Sequence, residues 1–145
     1  MPKPNVVARR LAVLACMDAR FDPNAALGLA AGDAHLIRNA GGIATDDALR
    51  SLVVSHWRLG TTEALVVGHT DCGMATFTDE ELHARLRAET DAAEVSALRF
   101  LTFTDVEERV QESVRRIRES PLFPDGYGVS GLVFEVDTGR LRVVA

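Results

Sequence analysis

The sequence lacks what would send it to a membrane, a nucleic acid or an oxidising compartment. No apolar run approaches the roughly 20 residues that span a bilayer. Positive charge is in deficit, with 16 Lys and Arg against 21 Asp and Glu and a formal net charge of −5. The pI is about 5.3. A nucleic-acid partner calls for a basic face, and none is visible. Only two cysteines occur in 145 residues, too few for a disulfide framework and better suited to thiols or metal ligands in a reducing compartment. The opening "MPKPNVVARRLAVLACMDAR" sets Lys3, Arg9 and Arg10 before a short apolar run. That run, residues 11–17, is barely long enough for the apolar region of a leader. Asp18 and Arg20 stand where a small-residue cleavage site belongs. A cytoplasmic protein is expected. There is no internal repeat, low-complexity stretch or linker. With 47% hydrophobic residues, residues 1–145 suit one domain with its own core.

What is present alternates between two periodicities. Residues 11–16, 34–39 and 63–68 read as buried strands. Between the first two, Asp22 can cap a short helix with Pro23 in its first turn and Gly32 at its end. Thr45 caps a longer helix to about residue 59, with Asp46 and Asp47 at its positive end and Gly60 stopping it. The apolar face expected for it holds Leu49, Leu52, Val53, His56 and Trp57. Thr78-x-x-Glu81 and Thr104-x-x-Glu107 have the form of capping boxes. They predict helices over 79–88 and 105–119, with a further helix over 91–100. "GLVFEVDTGRLRVV" closes the chain as two strands around Thr138 and Gly139. The order predicts an α/β fold, a mainly parallel sheet flanked by helices with a short C-terminal strand pair.

In such sheets ligands bind beyond the carboxyl ends of the strands. Cys16 ends the first strand, and "HTDCG" places His69 and Cys72 at the end of the third. Two thiolates and an imidazole are a soft donor set for zinc, and a catalytic zinc keeps three protein ligands. His35, His56 and His83 have no ligand-like spacing, which leaves a fourth position open or filled by Asp18. Taken singly, a cysteine closing a buried strand is as readily a small core residue. Asp18 and Arg20 alone are as readily a surface ion pair.

"CMDAR" (16–20), "GDAHLIRNAGG" (32–42) and "HTDCGM" (69–74), in this order and spacing, resemble the signature blocks of the β-class carbonic anhydrases, most nearly their short-chain prokaryotic branch. The resemblance implies one Zn²⁺ per chain on Cys16, His69 and Cys72. It also implies a catalytic dyad of Asp18 and Arg20, with Asp18 a possible fourth ligand in a closed state. The implied activity is that of a carbonate dehydratase, reversible hydration of CO₂ to bicarbonate by a zinc-bound hydroxide oriented by the dyad. A homodimer or multiple of dimers is implied as the assembly. About ten residues precede the first strand, which leaves little for the N-terminal arm of larger members. A related enzyme acting on carbonyl sulfide or carbon disulfide at the same zinc, or a non-catalytic zinc-binding or bicarbonate-sensing module, are the alternatives. Arg38 and Asn39 are expected to tie down the loop carrying Gly41 and Gly42, and Gly73 to allow close backbone approach to the metal. Phe21, Leu27 and Val66 are candidate walls of the substrate pocket.

Overall fold

A computed structural model describes residues 7–145. Lys3, and with it part of the leader-like stretch and of the residues before the first strand, lies outside them. Five strands, β1 (Leu11–Cys16), β2 (Ala34–Asn39), β3 (Glu63–His69), β4 (Gly128–Phe134) and β5 (Leu141–Val143), form one sheet in the order β2-β1-β3-β4-β5. The first four are parallel, and β5 returns antiparallel to β4. β1 has a strand on either side and a layer on either face, so all six of its residues are buried. That is why its sequence is an unbroken apolar run.

Alternate residues of the strands feed two cores. Ala12, Leu14, Ala64, Val66 and Val133 face helices α2 (Asp46–Trp57) and α4 (Val106–Glu119), meeting Ala48, Leu52, Val110, Val114 and Ile117. On the other face Leu11, Val13, Ala15 and Val67 pack with Phe21 and the short helix α1 (Pro23–Leu27). α4 lies so close to β3 that a Cβ on Gly68 would come within 2.7 Å of Val110 Cγ2 and 2.8 Å of Val106 Cγ2. Side-chain burial of this kind contributes roughly 1.5–3 kcal/mol per large aliphatic residue.

Several element ends differ from the expectations. α1 stops at Gly28, which takes the left-handed conformation at φ 67°, a turn earlier than Gly32. In α2 the buried positions are Ala48, Leu52 and Ser55, while Trp57 is exposed, its indole N–H reaching the Leu122 carbonyl. The inward stripe is therefore rotated from the predicted one, because Ser55 enters the core to meet polar partners. The capping box at Thr78 forms as predicted and opens α3 (Asp79–Glu89). α4 is capped by Asp105 rather than Thr104, the carboxylate accepting from the N–H groups of Glu107 and Glu108. The helix expected over 91–100 shrinks to a single turn at Ala93–Ala97. There the Asp79 carboxylate takes the N–H groups of Phe100 and Thr102 and the Thr102 hydroxyl. Those contacts bend the backbone away from a helical path, and Val95 is the one residue of the turn that is buried.

Candidate metal centre

The β1–β3 register pairs Ala15 with Val67, so Cys16 is level with Gly68 and His69 projects one residue further. The 69–74 segment then turns back across the end of β1. Cys16, His69 and Cys72 are all buried, and their ligating atoms lie within 4.8 Å of one another. The two sulfurs are 4.0 Å apart. That is no disulfide, and it is close to the edge of about 3.8 Å expected for two sulfurs on a tetrahedral zinc with 2.3 Å bonds.

His69 is held by its other nitrogen. Nδ1 donates to the Thr70 carbonyl at 2.8 Å, which assigns the proton to that side and leaves Nε2 with a free lone pair. The ring is flanked by Phe21, 5.6 Å between centroids, and Phe21 stacks on Phe134. His69 Nε2 is buried with no hydrogen-bond partner. A buried, unpaired imidazole nitrogen facing two sulfurs is costly unless something ligates it, so the donor set fits the zinc expected from the sequence. The thiol of Cys72 lowers Cys16 well below the ordinary thiol range against the opposing effect of burial, and Cys72 is pushed up in return. On His69 burial acts downward, but the Cys16 thiolate, the Thr70 carbonyl and Asp18 outweigh it, and the net shift is upward. A metal therefore displaces protons from this pocket as it binds.

Asp18 and Arg20 sit at the rim. Arg20 Nε and Nη2 grip the Asp18 carboxylate at 3.1 and 2.8 Å, and the Arg20 backbone N–H adds a third bond at 2.8 Å. These bonds hold the Asp18 carboxyl well below the usual carboxylate range. Asp18 Oδ2 is 3.8 Å from His69 Nε2, at the edge of the metal position. One partner of Arg20 was not anticipated. Nη1 bonds Asp71 Oδ2 and Nη2 the Asp71 carbonyl, both at 2.8 Å. The signal for it was in plain view, an acidic residue between His69 and Cys72.

Arg38 reaches from β2 to the carbonyls of Cys16, Asp18 and Phe21 at 2.9, 2.8 and 2.7 Å. Asn39 brackets Ile43 with two side-chain bonds. Asn39 ties down the loop carrying Gly41 and Gly42, as expected, whereas Arg38 holds the segment that follows β1. Among the loop glycines beside the site, Gly42 makes the tightest approach to protein atoms. A Cβ on Gly42 would stand 2.8 Å from the Cys16 nitrogen, while one on Gly73 would meet nothing within 4 Å. A cavity of about 150 Å³ opens over the sulfurs, lined by Met17, Asp18, Ala40, Gly41, Gly73 and Met74 with the two cysteines. Phe21, Leu27 and Val66 do not line it. Phe21 is buried behind His69, and Val66 and Leu27 pack in the two cores. No helix among the described residues is long and apolar enough to cross a membrane.

The family model described as "Carbonic anhydrase" matches residues 11–141. The chain is 41% identical over 143 residues to β-carbonic anhydrase 1 of Mycobacterium tuberculosis, covering 99% of this chain and 86% of that protein. It is 38% identical over 156 residues to the carbon disulfide hydrolase of an Acidianus strain, covering 92% and 76%. Among solved structures, the carbonic anhydrase of Streptococcus mutans superimposes with a TM-score of 0.93 at 46% identity, covering 100% of this chain and 87% of that one.

Proposed function

The chain belongs to the carbonic anhydrase family, in its β class, and from that premise we propose that it catalyses the reversible hydration of CO₂ to bicarbonate at one zinc ion held by Cys16, His69 and Cys72. The observation that carries this reading is the convergence of the three donors with His69 Nε2 buried and unpaired. Zinc, when bound, supplies the Lewis acidity that makes a water nucleophilic near neutral pH.

The remaining work falls to the chain's own groups. Asp18, kept ionised by Arg20, accepts a hydrogen bond from the attacking water and so turns a lone pair toward the carbon. Arg20 fixes that carboxylate through its paired N–H groups. Met17, Ala40, Gly41 and Met74 supply a mostly apolar wall that suits a small linear substrate without charge. Thr70, Phe21 and Arg38 hold the imidazole and the strand end in place. The chain works in this reading as a single zinc-binding domain, cytoplasmic and paired with a second copy as a homodimer.

The likeness to a carbon disulfide hydrolase and the two methionines at the mouth favour a second reading, hydrolysis of carbon disulfide or carbonyl sulfide at the same site. Stopped-flow CO₂ hydration by the zinc-loaded protein, run beside assays with both sulfur compounds, separates the two. CO₂ hydration is expected to be the fastest. A zinc-loaded protein that hydrates no CO₂ would remove the first reading.

A further inference from the structure

Arg20 links the segment after β1 to the segment after β3 across the mouth of the site. On one side it holds Asp18; on the other it holds both the carboxylate and the carbonyl of Asp71. Asp71 adopts φ 55°, a left-handed conformation in which glycine is the unstrained choice and aspartate is tolerated. A side chain at this position therefore costs the backbone something, and what it brings is a carboxylate on Arg20. The Asp71 side chain is 70% exposed and that of Arg20 is 56% exposed. An ion pair so wet contributes little to stability, so its consequence lies in geometry.

We propose that Asp71 is a positioning residue: it anchors Arg20 from the Cys72 side, and Arg20 so anchored keeps Asp18 on the dyad and off the metal. The inference rests on the carbonic anhydrase reading above. Asp18 has two calls on its carboxylate, the Arg20 fork and the metal position, whose edge its Oδ2 already reaches at 3.8 Å from His69 Nε2. The two bonds to Asp71 do not depend on Asp18. They leave the guanidinium in place whenever Asp18 moves, ready to take it back. Without the Asp71 carboxylate a half-exposed arginine keeps only the Asp71 carbonyl as its tie to the Cys72 side, its fork is less firmly placed, and the Asp18 carboxylate shifts toward the metal.

Asp71→Gly tests this, because glycine suits φ 55° and removes only the carboxylate. The variant is expected to keep its melting temperature and full zinc stoichiometry. Its kcat for CO₂ falls about tenfold with KM little changed, a coupling of ordinary size for groups in contact. The visible bands of the cobalt(II)-loaded variant shift, reporting a carboxylate as ligand. In an Arg20→Ala background the same substitution costs less than about twofold, since the residue it acts through is gone. A variant with wild-type kcat and an unshifted cobalt spectrum would overturn the inference. So would a loss undiminished in the Arg20→Ala background, or loss of the metal itself. None of these results bears on whether the wild-type protein hydrates CO₂, and the cobalt spectrum is readable even if it does not.

Discussion

The two ends of the sheet both bury polar side chains, and they treat them in opposite ways. At the amino end His35 Nδ1 meets Ser55 Oγ at 2.6 Å, Ser55 Oγ meets Thr61 Oγ1 at 2.7 Å, and His56 Nδ1 meets the Thr61 carbonyl at 2.5 Å. Each group is answered by a protein neighbour. The adjacent Tyr127 hydroxyl, pushed up to about 12 chiefly by burial with the Thr61 side chain acting the other way, makes no hydrogen bond of normal length but faces no other free donor set among the described residues. At the carboxyl end two sulfurs and an imidazole nitrogen converge, and His69 Nε2 has no hydrogen-bond partner. Histidine content does not separate the two clusters. What separates them is whether the network closes on itself, which marks scaffold, or leaves aligned lone pairs free, which marks a ligand site.

The sharpest way to break this comparison is at the carboxyl end. Cys72→Ala is expected to lose zinc and CO₂ hydration together, by more than the roughly 10–100-fold that outer-shell partners control. Metal analysis beside the hydration assay checks it, and full zinc retention would contradict the assignment. Asp18→Ala should keep zinc yet lose about 100-fold in kcat, the lower end of what a positioned proton-handling group supplies. A wild-type rate would remove Asp18 from the chemistry. Ser55→Ala sharpens the contrast from the other end. It strands His35 and Thr61, so thermal or denaturant unfolding should register a loss of about 1–3 kcal/mol with kcat/KM for CO₂ unchanged.

The smallest effect is a pH effect. Asp79, lowered to about 2 chiefly by the Thr102 hydroxyl and then by the Phe100 and Thr102 N–H groups, stabilises the fold fully above the carboxylate pKa of an unfolded chain, about 3.9. That contribution is lost as pH falls through about 2. Asp79→Asn should therefore be less stable than the parent at neutral pH and converge on it in acid, as melting curves from pH 7 to pH 2 would record.

Much of this was legible in the sequence, for identifiable reasons. β1 was read to the residue because a strand buried on both faces writes a continuous apolar run that stops at its ends; the bounds of β2, a partly buried edge strand, were also read to the residue. The ligand set was legible because soft donors stand at two strand ends and the three blocks around them resemble a family that places zinc there; the same resemblance supplied the dyad. Apart from the local shifts at Gly28 and Asp105, the failures lie where a distant side chain acts on local structure. Asp79 holds the backbone at Phe100 and Thr102, where the helix expected over 91–100 was to end, from about twenty residues away. Ser55 turns α2 toward Thr61, and Arg20 recruits Asp71 across 51 positions. The close contact of Gly42 with β1 was not foreseen because that strand is remote in sequence. Pocket walls were misjudged for the same reason: periodicity tells inside from outside, but not which inside faces the cavity.

The account stands on the donor set, and zinc K-edge X-ray absorption of the metal-loaded protein reads that set directly. It predicts two sulfurs and one imidazole nitrogen on the same zinc, with Cys16→Ala and Cys72→Ala each removing one sulfur. A first shell with no sulfur, or one unchanged when either cysteine is replaced, would contradict it.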